Sequence, residues 1–494
     1  MTARRIHLRI SALFSCYGAI VLGIALVAFL VGNLVASGVF ERVPHLEDEV
    51  AYLFQAKVFA LGRMYVPSPR YPPSFFAPFV LDHTGKRFGK YPPGYSLLLA
   101  LGVLSGHPWL VNALSSALTL IVVYRIGREL YDPGVALLAT ALGLSSPFLL
   151  LLSGTLMSHP TSLLFLSLFT WLLLRTTRST ARRYPLLAGV ALGVAFLIRP
   201  LTAVGVALPL VLYAVARAVR DHEGDLSRYL WLVIGFLPLA ALLPAYFWTL
   251  TGNPFLAPYE LWWPFDRWGF GAGRGKYGYH TLGEGLRNTA TNLAALSTHL
   301  FGWPAVSLAF IVLLFLVGSA DRRDALLLSV FASLVLVHIP YWTSGCIYGP
   351  RYYFEALPTL LLLTARGVQA VARRLRSWSF LPYLTLVALV LLNVTIYLPA
   401  QWQTYRGWYG VTAAPLDATR RANLHHALVF AHTESWTDYV PLFCANSPLL
   451  DSDVVYAIDL GELPNRQVMA LYPDRTVFSL RGTRLMLIKS SARQ

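Results

Sequence analysis

The stretch Pro44-His-Leu-Glu-Asp-Glu-Val-Ala-Tyr-Leu-Phe-Gln-Ala-Lys-Val-Phe-Ala-Leu-Gly62 follows an apolar run at 11–34 that is long enough to cross a bilayer. Its apolar residues at 50, 53, 54, 58 and 61 recur at helical spacing, and Gly62 is a natural C-terminal stop. A span followed at once by such a helix predicts an amphipathic segment lying on the membrane surface. Glu47, Asp48 and Glu49 stand at its start. Acids in a first helical turn gain about 0.3–1 kcal/mol from the helix dipole, so capping is one reading. Three in succession exceed that need, and their repulsion raises at least one pKa, so a carboxylate base at the bilayer edge is the other.

The rest of the chain agrees with a membrane setting. Of 494 residues 56% are hydrophobic and 13% charged, against about a quarter charged in soluble domains. Further apolar runs lie near 108–124, 134–152, 158–174, 184–198, 200–216, 230–250, 303–319, 325–341, 355–372 and 380–399, which makes about eleven transmembrane helices. The run from 184 to 216 is split at Arg199-Pro200, because the residue before a proline disfavours helical geometry. The first run lacks a clear small-residue cleavage site and is read as an anchor, not a signal peptide. Three cysteines exclude a disulfide scaffold. The composition also excludes a collagen, a coiled coil, a disordered tail and a nucleic-acid-binding domain.

The net charge of +16 reflects topology. Alternating spans place 18 of the 40 Lys and Arg residues in six short connections, from Arg4, Arg5 and Arg9 through Arg125, Arg175 and Arg217 to Arg366 and Arg376. The positive-inside rule makes that side cytoplasmic. The large segments then face away from the cytoplasm: a first loop at 35–107, a second at 251–302, a short one at 342–354, and a tail from 400. Long loops in a compact protein usually do something, so function is expected there. Residues 1–400 form the transmembrane domain, and 401–494 read as a small α/β domain. The latter has strands at 427–431, 454–458, 477–480 and 485–488 and a helix near 463–471.

Three other motifs flank the acids. Lys90-Tyr-Pro-Pro-Gly-Tyr-Ser96 precedes an apolar stretch too short to cross, so Pro92-Pro93 begins an interfacial or re-entrant helix, a rigid wall beside the carboxylates. Gly349-Pro-Arg-Tyr352 opens a late span. Trp262-Trp-Pro-Phe-Asp-Arg-Trp268, with a Gly-rich run behind it, suits either sugar stacking and a lid or anchoring in the head groups.

These elements, in this order and topology, resemble the GT-C superfamily of polytopic glycosyltransferases. They are Asp48-Glu49-x-x-Tyr52 on a juxtamembrane helix, Tyr91-Pro-Pro-Gly-Tyr, Arg199-Pro200 in a tight turn and Gly349-Pro-Arg-Tyr352. The nearest branch is the protein O-mannosyltransferase and lipid A aminoarabinose transferase group, and the resemblance covers roughly residues 10–400. It implies a polyprenyl-phosphate-linked sugar donor, a hydroxyl-bearing acceptor and inverting transfer. Asp48 is the implied base, with Glu49 beside it. Arg199, Arg351 and Lys90 are candidates for the donor phosphate, and Tyr52, Tyr91, His159 and Tyr352 for the pocket wall. An unpaired arginine at membrane depth is costly, which favours a ligand for Arg199, although snorkelling to the head groups is a simpler reading. For Arg351 the simpler reading is an ion pair with Glu355 one helical turn on.

The chain departs from related enzymes at Met157-Ser-His-Pro160, where a second acid is common. His159 there is a candidate partner of the first-loop carboxylates, and with Asp48 a candidate divalent-metal pair, although a capping role is simpler. No other cofactor is implied. A prokaryotic inner membrane is the expected location, with the site and the C-terminal domain extracytoplasmic. The alternative is a transporter or flippase of lipid-linked saccharides. It explains the spans but not an acid triplet placed outside them.

Overall fold

The computed structural model describes residues 2–220 and 227–490; the side chains of Arg4, Arg5 and Arg9 lie outside the described residues. The chain is an integral membrane protein built of helices. They begin with α1 (Thr2–Gly38), the first-loop helices α2 (Glu47–Ala60) and α3 (Pro93–Leu104), and α4 (Leu110–Leu130). Next come α5 (Pro133–Ser145), α6 (Pro147–Ser153), α7 (His159–Thr176), α8 (Arg183–Ile198), α9 (Pro200–Arg220) and α10 (Ser227–Thr251). The second loop holds α11 (Pro258–Trp262) and α12 (Leu282–His299). The bundle resumes with α13 (Ala309–Leu316), α14 (Arg322–His338), α15 (Leu357–Arg374), α16 (Leu381–Leu392) and α17 (Leu398–Tyr405).

Each apolar run of the sequence is wholly or partly helical, though not every run is one helix long and apolar enough to cross alone. Among the described residues five helices are long and apolar enough to cross alone: Tyr17–Gly38, α4, α9, α10 and the broken helix Arg376–Gly410. A sixth arises if α5 and α6, bent by 58° at Ser146, count as one. Hydropathy counts apolar residues regardless of the prolines and glycines that break a helix. Pro147 and the Gly302–Pro304 segment before α13 are such breaks. The division at Arg199-Pro200 is present: α8 ends at Ile198, Arg199 caps it with φ −145°, and α9 starts at Pro200.

Glycines allow the tightest helix contacts. A Cβ at Gly189 of α8 would lie 2.0 Å from the Leu232 carbonyl oxygen of α10, and one at Gly235 would lie 2.3 Å from the Leu186 oxygen. The two backbones therefore touch, which only small residues permit.

The first loop does not lie flat on a membrane surface. Residues of α2 are apolar on more than one side, and such a helix is buried, not interfacial. Val50, Phe54 and Val58 pack on the C-terminal domain against Val429, Tyr439, Val440 and Phe443. Tyr52, Leu53 and Ala56 pack inward on Tyr95, Leu99 and Ile198. Short strands β1 (Val66–Pro67), β2 (Val80–His83) and β3 (Lys86–Gly89) complete the loop as an antiparallel sheet in the order β1-β3-β2. A two-stranded ribbon, β4 (Gly271–Ala272) and β5 (Tyr279–His280), stands in the second loop.

The C-terminal region is a four-stranded sheet in the order β7-β6-β8-β9, formed by β6 (Ala427–His432), β7 (Val454–Ile458), β8 (Thr476–Arg481) and β9 (Arg484–Lys489). Strand β6 runs parallel to β7 and β8, and β9 returns antiparallel. Parallel neighbours need crossovers. Helices α19 (Trp436–Phe443) and α20 (Glu462–Met469) provide them, after α18 (Ala414–Arg421) has led into the domain.

Candidate active site

The acid triplet divides by direction. Leu46, the residue before α2, makes no side-chain cap, and Glu47 turns back to its own backbone N–H. Asp48 Oδ2 accepts from Arg351 Nη1 at 3.0 Å, and its Oδ1 accepts from the Tyr91 hydroxyl; its side chain is 15% exposed. Glu49 turns inward and is buried. Its Oε2 accepts from the Leu156 N–H at 3.2 Å and its Oε1 from the Tyr348 hydroxyl at 3.2 Å. Burial pushes the Glu49 carboxyl up to about 8 despite those two hydrogen bonds, so it folds as the neutral acid near pH 7. Glu49 ties α2 to the α6–α7 connection and shares none of the partners of Asp48, beside which the sequence sets it.

Arg351 pairs with Asp48 and Lys90 lies close enough to feel its charge, while Arg199 joins the cluster through the Tyr352 ring. Lys90 is buried, its ammonium 3.3 Å from the centre of the Phe79 ring, 4.3 Å from Trp263 and 5.1 Å from Tyr91. Aromatic faces attract a cation and shed its water. Burial brings Lys90 down to about 8, against the opposing pull of Asp48, Asp266 and Glu47. Trp263 belongs to the aromatic second loop, which therefore covers the first. Asp266 fastens it, accepting from the Tyr341 hydroxyl and from Trp342 Nε1, each at 2.9 Å.

Arg199 and Arg351 flank one ring: their guanidinium carbons lie 5.8 and 5.6 Å from the centre of Tyr352. Both are braced by acids, but not as spacing suggested. Arg351 pairs with Asp48 and not with Glu355, because residues Arg351–Ala356 form a 3-10 turn, in which positions four apart do not stack. Glu355 instead meets Arg199, whose Nε lies 3.1 Å from its Oε1. His159 Nδ1 lies 3.7 Å from the same oxygen. The Asp48–His159 metal pair is thus not assembled, since each side chain has a different partner. Among the described residues no group of three or more His, Cys, Asp or Glu side chains comes together to hold an ion.

The pocket tyrosines follow from the two first-loop helices. Tyr52 stacks on Tyr91 at 4.5 Å between ring centres, meets Tyr95 edge-on at 4.9 Å, and shares a hydrogen bond of 3.0 Å with Ser158. The Pro-Pro-Gly turn brings Tyr91 there. A Cβ at Gly94 would lie 2.6 Å from the Leu197 carbonyl carbon, so glycine lets α3 press against the end of α8, next to Arg199. Tyr352 also stacks on His338 at 5.2 Å. The sequence reading left out Glu355 as the partner of Arg199, Phe79 and Trp263 around Lys90, and Asp266 as the loop anchor. These contacts join residues far apart in the chain, and no local pattern announces them.

Comparisons with known proteins point the same way. Residues 92–248 match the family model of dolichyl-phosphate-mannose-protein mannosyltransferase. No curated protein sequence matches the chain. The fold is similar to that of ArnT from Cupriavidus metallidurans, solved bound to undecaprenyl phosphate. The TM-score is 0.57, with 14% identity over 94% of this chain and 90% of that one. Its apo form gives 0.56, with 14% identity over 95% and 89%. The oligosaccharyltransferase of Archaeoglobus fulgidus is similar at 0.46, with 14% identity over 85% of this chain and 64% of that one. The architecture is the polytopic GT-C type with a small strand-containing C-terminal region, and the GT-C resemblance read from the motifs stands.

Proposed function

We propose that this chain is an inverting glycosyltransferase that moves a sugar from a polyprenyl-phosphate donor to a hydroxyl of a lipid, glycan or protein acceptor. The site faces the extracytoplasmic side, in a prokaryotic inner membrane. The observation that carries the reading is the partly exposed Asp48 carboxylate paired with Arg351 and near Lys90, with Arg199 on the Tyr352 ring that Arg351 also meets. Asp48 takes the proton of the acceptor hydroxyl as that oxygen attacks the anomeric carbon. The bond from that carbon to the phosphate oxygen breaks, and the lipid phosphate departs with the electron pair. Lys90, Arg199 and Arg351 stabilise the charge that develops there, where low dielectric strengthens each contact. A phosphate leaving group needs little acid help, so one base suffices, unlike the carboxylate pair of glycoside hydrolysis. Glu49 takes no part in the chemistry, and Tyr52, Tyr91 and Tyr352 wall the pocket.

The test is transfer from a panel of radiolabelled polyprenyl-phosphate sugars into total membrane extract, with wild type and Asp48→Asn at matched expression. General-base help is worth about 10²–10⁴-fold, so the variant is expected to lose at least two orders of magnitude. No transfer by either protein, with lipid-linked sugar crossing vesicles in both, would make the chain a transporter.

A further inference from the structure

Glu355 is the least explained group near the site. It is an acid 2% exposed, whose carboxylate oxygens lack a well-aligned hydrogen-bond partner among the described residues, with the Ser162 hydroxyl nearby. Its ionic contacts are Arg199 at 3.1 Å and His159 at 3.7 Å. Burying a carboxylate is costly unless a cation answers it, so the pair with Arg199 is what permits Glu355 to be there. The 3.1 Å contact is made by Nε of Arg199, which also donates to Thr202 Oγ1 at 3.4 Å. Among the described residues no hydrogen bond occupies Nη1 or Nη2. The side chain is 15% exposed and lies 5.8 Å from the centre of the Tyr352 ring, which Arg351 also approaches. One edge of the guanidinium is fixed and the other is open.

We infer that Glu355 is a positioning residue for the lipid-phosphate donor: it holds Arg199 by Nε and so presents the Nη1–Nη2 fork to the phosphate. The planar fork is the part of arginine that matches a phosphate bidentately, and its direction is set by whatever grips the remaining nitrogen. The same short turn carries Arg351 and Tyr352, so one backbone segment sets the spacing of both arginines. Glu355 touches no substrate in this scheme and acts through Arg199. The inference rests on the reading that Arg199 binds donor phosphate.

The experiment measures the affinity of the purified full-length protein for undecaprenyl phosphate in wild type, Arg199→Ala, Glu355→Gln, Glu355→Ala and the two double variants. Glu355→Gln keeps the shape and an acceptor for Nε, so it reports even if the alanine variant fails to fold. Arg199→Ala is expected to weaken binding. Glu355→Ala should weaken it about tenfold or more, and Glu355→Gln by less. Neither change should add any further loss once Arg199 is absent. A Glu355 loss of equal size with and without Arg199 would mean that the acid acts on the fold at large, and the inference fails. Unchanged or tighter binding in both Glu355 variants would overturn it as well, tighter binding showing Glu355 to be a competitor for the guanidinium. If Arg199→Ala itself binds like wild type, the phosphate assignment of Arg199 falls first, and that outcome is read from a different variant.

Discussion

Asp48 and Glu49 are adjacent, yet one faces Arg351 and Lys90 and the other faces the interior. Successive helical residues point about 100° apart, so an acid pair at a helix start divides between two environments. Glu49→Gln should therefore retain sugar transfer while Asp48→Asn loses it, since a neutral amide can keep the contacts of a neutral acid. Stability supplies a second readout. Burial raises the folded-state pKa of Glu49 from 4.5 to about 8. Its stabilising contribution is thus fully present below about pH 4.5 and is lost as pH rises through about 8. Thermal unfolding across that range should show a steeper decline for wild type than for Glu49→Gln; equal slopes would contradict the buried neutral acid. Lys90 gives a further pH effect. With its pKa lowered to about 8, its charge is present below that value and falls away above it. Affinity for undecaprenyl phosphate should decline from about pH 8 upward in wild type, and Lys90→Arg should remove that step, because arginine stays charged. At this scale the identities of Asp48, Lys90, Arg199 and Arg351 were legible, because charges beside apolar runs are rare enough to notice. Their pairing was not: Arg199 and Glu355 meet only through the packing of the start of α9 and of α7 against the turn before α15.

Among elements, the turn Arg351–Ala356 acts as a cross-brace, reaching α2 through Arg351 and the end of α8 through Glu355. Helix α3 sets the other side of the same frame. Gly94→Ala would drive a Cβ into the Leu197–Ile198 backbone, and overpacking of this kind costs roughly 1–3 kcal/mol. Because the backbone that must yield leads into Arg199, thermal stability and lipid-phosphate affinity should fall together. A folded Gly94→Ala protein with normal affinity would show that the contact does not set Arg199. Gly189→Ala tests the membrane portion alone: its Cβ would meet the Leu232 oxygen at 2.0 Å, so stability should drop, whereas Gly23→Ala, with open space around it, should be close to neutral. The helices and the break at Arg199-Pro200 were readable because apolar runs and prolines act locally. The burial of α2 was not, because the surfaces that cover it come from α3 and from the far end of the chain.

At the scale of the whole molecule, the C-terminal domain and the first loop share one apolar core. Phe54 lies 6.0 Å from Phe443 between ring centres, and Lys57 Nζ donates to the Asn446 carbonyl at 2.9 Å. Phe443→Ala should cost about 3–5 kcal/mol if the cavity does not collapse. The expected result is faster hydrogen exchange in both the domain and α2; loosening of the domain alone would mean the two are not coupled. The shared core also fixes an order of events in time. Helix α2 is made early, but Val429, Val440 and Leu480, which cover its Val50-Phe54-Val58 face, emerge only near the end of synthesis. At roughly 5–20 residues per second the interval lasts on the order of tens of seconds. During it the helix that carries Asp48 has a sticky, uncovered side, so a chain still being translated has no finished site and offers a chaperone something to hold.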